Sequence, residues 1–148
     1  ATVSMTRNTS SIRRERPIGT NRLAISLTWR ARLTQSAGNP LAARLRLAGG
    51  RELRAVCETT SDSSLALALG AAAGGGISRT IGASFGEFEF TLVAKDRHLS
   101  FRAVSVIGRN PLFHETTLVE GFRLAEVAGL ELAGGPQSGL ATATLVVE

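Results

Sequence analysis

At 148 residues, 43% apolar and 20% charged, the chain has the length of one ordinary domain and can bury a core without metals or disulfides. Its lone cysteine, Cys57, excludes an intrachain disulfide, and one cysteine with two histidines is too few for an ordinary structural zinc site. The net charge of +5 is uneven: residues 1–54 carry eleven arginines against Glu15 and Glu52, whereas residues 55–148 carry six basic and ten acidic residues.

That asymmetry predicts a polyanion or an acidic protein surface as partner and says nothing about fold. Lys95 is the only lysine among 17 basic residues, a bias that a GC-rich coding sequence would also produce. The first twenty residues hold Arg7, Arg13, Arg14 and Arg16 but no apolar segment, unlike a secretory signal. The longest apolar stretch, Leu65 to Ala73, is about half of what a membrane-spanning helix needs. A soluble location, in a virion or the cytoplasm, is therefore expected.

Residues 1–18 show neither helix nor strand period and are read as an extended basic arm outside the core. Arg13, Arg14 and Arg16 would be its contact residues. Residues 19–148 are then one β domain. From Arg22 to Thr34 the odd positions Leu23, Ile25, Leu27, Trp29, Ala31 and Leu33 are apolar, and the even ones are Ala24 and polar residues. Period-two alternation of that length predicts a half-buried strand with Trp29 in the core. After turn chemistry at Gln35 to Pro40, Leu41, Ala43, Leu45 and Leu47 alternate with Arg44 and Arg46 until Gly49-Gly50. A third run, Leu53 to Thr59, completes an expected antiparallel meander.

Residues 65–73 fit strand or helix, the leucines favouring one and the alanines the other. From Phe85 the β pattern returns: Phe88, Phe90, Leu92 and Ala94 share one face and Glu87, Glu89 and Thr91 the other, with a hairpin turn at Lys95 to His98. Thr117 and Glu120 have capping-box spacing before Gly129, so one short helix near 117–129 is allowed, although Phe122-Arg123-Leu124 also fits a strand. Leu140 to Val147 reads as a last strand. The whole is an all-β chain, an antiparallel sandwich or barrel of about seven or eight strands.

Chemistry is sparse. His98 falls in a turn, and the adjacent His114 and Glu115 would point to opposite faces of a strand, so no nucleophilic triad assembles. Glu87 and Glu89 share a strand face, as the paired carboxylates of a glycosidase do, but that spacing is ordinary for a solvated stripe. Trp29 in the core register and the absence of tyrosine leave little aromatic surface for a sugar. Gly74-Gly75-Gly76 precedes no strong helix and no lysine, unlike a phosphate loop. No enzyme activity, cofactor, metal or small-molecule substrate is expected. Cys57 is read as a small buried hydrophobe.

One constellation remains. If the first two strands pair around Gln35–Pro40, Arg30, Arg32, Arg44 and Arg46 crowd one sheet face at a cost that an anion would relieve. That anion could be a nucleic-acid backbone or carboxylates such as Glu87 and Glu89 of a neighbouring strand or subunit. The expected function is a structural subunit of a homo-oligomeric assembly, a capsid, decoration or tail protein of a virion. The alternative is a sequence-independent polyanion-binding module.

Overall fold

Alternating apolar and polar residues become strands with one buried face. The computed structural model describes residues 2–3, 6–7, 11–14, 24–33, 41–61, 64–71, 76–82, 85–95, 97–119, 126–134 and 143–147. Among the described residues thirteen strands follow one another: β1 (Thr2–Val3), β2 (Thr6–Arg7), β3 (Ser11–Arg14), β4 (Ala24–Leu33), β5 (Leu41–Leu47), β6 (Glu52–Ser61) and β7 (Ser64–Ala71). Next come β8 (Ile77–Gly82), β9 (Gly86–Lys95), β10 (His98–Ser105), β11 (Pro111–Leu118), β12 (Val127–Gly134) and β13 (Ala143–Val147).

They form two antiparallel sheets. The first runs β1-β13-β4-β9-β10-β11, the second β2-β3-β12-β5-β6-β7-β8. Two meanders supply most of this, β5 to β8 in one sheet and β9 to β11 in the other. The expected all-β antiparallel sandwich is the observed architecture. There are more strands than expected because short terminal segments extend both sheets.

The core lies between the inner faces. Ile25, Leu27, Trp29, Phe90, Leu99 and Phe101 from one sheet meet Leu45, Leu53, Leu65, Leu130 and Leu132 from the other, all at most 3% exposed. An aromatic band crosses the first sheet, with ring centroids 5.6 Å apart for Trp29–Phe90, 6.1 Å for Phe90–Phe101 and 4.9 Å for Phe101–Phe113. Such pairs add to the plain burial of their area. The four rings come from β4, β9, β10 and β11, so the band ties these strands together.

Two segments left open between helix and strand are decided by the structure where it describes them. Thr117 and Leu118 end strand β11, and Val127 to Gly129 begin β12, so a helix does not occupy either end of 117–129. Residues 120–125 lie outside the described residues. At the ends of that window, cross-strand pairing to β10 and β5 wins over capping chemistry. The ambiguous Leu65–Ala71 run is a strand, because Leu65, Leu67 and Leu69 all reach the core while the alanines face out.

The expected arm also contains paired backbone. β1 joins β13, β2 joins β3, and β3 joins β12 over Ser11 to Arg14. Strand pairing needs backbone N–H and C=O groups rather than a hydrophobic period, so an aperiodic sequence at a sheet edge does not advertise it.

Glycine is required where β8 begins. Gly76 has φ +88° and lies so close to β7 that a Cβ would run into the carbonyl oxygen of Leu69 and come within 2.9 Å of Gly70 Cα. The end of the triple glycine thus serves close strand packing; Gly74 and Gly75 lie outside the described residues.

Candidate functional site

Sheet topology divides the arginine constellation. β4 lies in the first sheet and β5 in the second, so Arg30 and Arg32 do not share a face with Arg44 and Arg46. The expected β4–β5 pairing is corrected by the register: Arg30 stands opposite Glu89 and Arg32 opposite Glu87 on β9. Opposite charges across a strand pair stabilise a sheet, whereas four facing guanidinium groups would oppose one another.

Glu89 is the hub of the first group. Its Oε2 lies 3.7 Å from Arg30 Nε and its Oε1 3.5 Å from Arg109 Nη2. Arg109 reaches it from the β10–β11 turn, where it adopts a left-handed φ of 57° beside Gly108 at φ 82°. That turn is closed by Ser105 N donating to Asn110 O at 2.8 Å.

The second group surrounds Arg44 on the outer face of the other sheet. Its guanidinium lies 3.0 Å from Glu131 Oε1 on β12 and 3.6 Å from Glu52 Oε1 on β6. Arg46 stands opposite Glu52 in the β5–β6 register. Arg44, Arg46, Glu52 and Glu131 line a shallow depression of ≈ 230 Å³. On its other side Glu131 is in register with Arg13 of β3, while Arg14 is in register with Leu130. Arg16 lies outside the described residues. Each exposed pair contributes only about 0.2–1 kcal/mol.

Both histidines are exposed. His114 Nε2 lies 2.9 Å from Ser100 Oγ, and Thr116 Oγ1 donates to the same Ser100 oxygen at 3.4 Å. Glu115 turns to the opposite face, where it pairs with Arg79, so it does not orient His114 as a catalytic acid would. Cys57 is buried, and burial pushes its thiol up to about 12, which makes it unreactive. Among the described residues no His, Cys, Asp and Glu cluster could hold a metal ion. No helix among them is long and apolar enough to cross a membrane.

No protein-family model matches the chain, and no curated protein does. Solved structures do resemble it. Caenorhabditis elegans galectin LEC-6 superposes with a TM-score of 0.61 at 13% identity, covering 97% of this chain and 94% of that one. The likeness is to the β-sandwich fold. The CBM2 module of the evolved Dit of Lactobacillus casei BL23 phage J-1 gives 0.56 at 13% identity, covering 99% of this chain and 76% of that one. The enzymatically active domain of bacteriophage CBA120 tailspike protein 2 gives 0.57 at 10% identity, and covers 97% of this chain but only 25% of the tailspike chain.

Arg30, Arg44, Glu89 and Glu131 are thus gathered into ion-paired groups. The sequence did not indicate Glu52, Arg109 or Glu131; Arg109 and Glu131 lie far along the chain from Arg30 and Arg44, whereas Glu52 sits just across the β5–β6 turn from Arg46. What could have suggested them is charge alternation on β6 and β12, where Glu52 precedes Leu53 and Glu131 lies between two buried leucines.

Proposed function

We propose that the protein is a non-catalytic structural module of a virion, a β-sandwich of a tail or capsid surface that associates with further copies of itself. The observation behind this reading is the open side of the sandwich. Among the described residues β8 and β11 are each an edge strand of their sheet, opposite the edges formed by β2 and β1, and Arg79 with Glu115 brings them together. Two large apolar side chains flank the β11 edge: Ile107, 86% exposed, in the turn before it, and Leu118, 55% exposed, at its end. An open strand edge with apolar neighbours is a template for a further strand unless something covers it. A second copy would cover it and bury both side chains. The likeness to sandwiches in two phage proteins supports a virion setting.

The paired arginines weigh against the polyanion-binding alternative in its original form. Arg30 and Arg44 already face carboxylates, so a phosphate backbone would have to displace them. A test is to replace both exposed apolar residues, Ile107→Lys with Leu118→Lys, and compare light-scattering mass after gel filtration. The reading expects assembly by the native chain and its loss in the variant. Equal masses for the two proteins would contradict it.

A further inference from the structure

On the outer face of the first sheet, the half away from Glu89 has a different chemistry. The β9–β10–β11 register sets three rows across the strands. Lys95, His98 and Leu118 form one row, Val93, Ser100 and Thr116 the next, and Thr91, Arg102 and His114 the third. Each outer row therefore holds one cation, Lys95 or Arg102, beside a histidine, and the row between holds hydroxyls. The cationic rows are four residues apart along β10, which is about 13 Å.

Lys95, His98, Arg102 and His114 are all exposed. Among the described residues, Lys95, His98 and Arg102 have no ion-pair or hydrogen-bond partner. Among the described residues, Glu89 on this face of β9 is already held by Arg30 and Arg109. The middle row is ordered in advance, since the Ser100 hydroxyl accepts from Thr116 and bonds the His114 ring.

The geometry points to this patch as a binding site for an anionic sugar polymer. Widely spaced cations match a ligand whose negative groups are sparse, and the intervening hydroxyls and imidazole match its hydroxyl groups. A nucleic acid fits less well. Its charges are dense, and backbone binding rests on neutralising several phosphates at once. Single-strand binders also stack bases on aromatic rings, but Trp29, Phe90, Phe101 and Phe113 all face the core. Carboxylated and sulfated sugars share the required chemistry, and this inference does not depend on self-assembly.

Calorimetric titration at low salt tests it with four probes: polygalacturonate oligomers, dextran sulfate oligomers, neutral dextran and oligothymidylate. The native protein should bind one or both acidic glycans and not neutral dextran, the better probe identifying the anion. Lys95→Gln with Arg102→Gln should weaken that binding about tenfold or more, as loss of charge-assisted hydrogen bonds does. Arg51→Gln with Arg54→Gln removes the same charge elsewhere and should change affinity less than about twofold. No binding to either acidic glycan would overturn the site. So would equal losses in the two variants, or tighter binding of oligothymidylate than of both glycans.

Discussion

Arg79 on β8 and Glu115 on β11 form an ion pair that joins an edge strand of one sheet to an edge strand of the other. Both positions face inward: Arg79 is in register with buried Leu67, and Glu115 with buried Phe101. The Arg79 side chain is 55% exposed and that of Glu115 16%, so the pair closes the rim of the core at the surface. Glu115→Gln should therefore cost less than about 1 kcal/mol in global stability. Amide exchange should quicken in β8 and β11 and stay unchanged in β4. A cost several times larger would mean that the pair holds the sheets together.

Trp29 is the largest test of the core. Trp29→Ala should destabilise the fold by about 3–5 kcal/mol, as large aromatic truncations do. The native indole, 3% exposed and stacked on Phe90, should emit in the blue and resist iodide quenching. Red-shifted, quenchable emission would contradict the register of β4.

Much of this was legible in residues 22–34 and 85–94, because a sheet face repeats every two residues and both segments keep that period. The pairing partner of β4 was not. A turn such as Gln35–Pro40 has the same composition whether the chain returns in its own sheet or crosses to the other. The charges decide between the two: β9 offers Glu87 and Glu89 to Arg32 and Arg30, where β5 offers only more arginine. Glu87 and Glu89 could be named from the sequence as counterparts of the arginines, whereas Glu131 and Arg109 could not, since they lie far along the chain from Arg44 and Arg30.

The N-terminal strands give a third prediction. β3 pairs with β12 over four residues and β1 with β13 over two. Deleting residues 1–16 should lower thermal stability and raise aggregation, by leaving the edges of β12 and β13 unpaired. A truncated chain as stable and soluble as the full one would mean these pairings contribute nothing.

Cys57 supplies a pH dependence. Its thiol is pushed from 9.0 to about 12 by burial, so the folded state holds the proton more tightly than the unfolded chain. The stability this contributes is fully present below pH 9 and is lost as pH rises towards 12. Denaturant unfolding of native and Cys57→Ala protein should thus show a stability difference that shrinks in the native chain's disfavour above pH 9. A gap constant across that range would place the thiol in contact with water.

The central claim, self-association through the open β8–β11 side, is tested most directly by the sedimentation-equilibrium mass of the native protein. The chain weighs 15.5 kDa. A mass of two or more chains, falling on dilution or in the Ile107→Lys, Leu118→Lys variant, is the predicted result. A mass of 15.5 kDa that holds at every concentration up to the limit of solubility would contradict it.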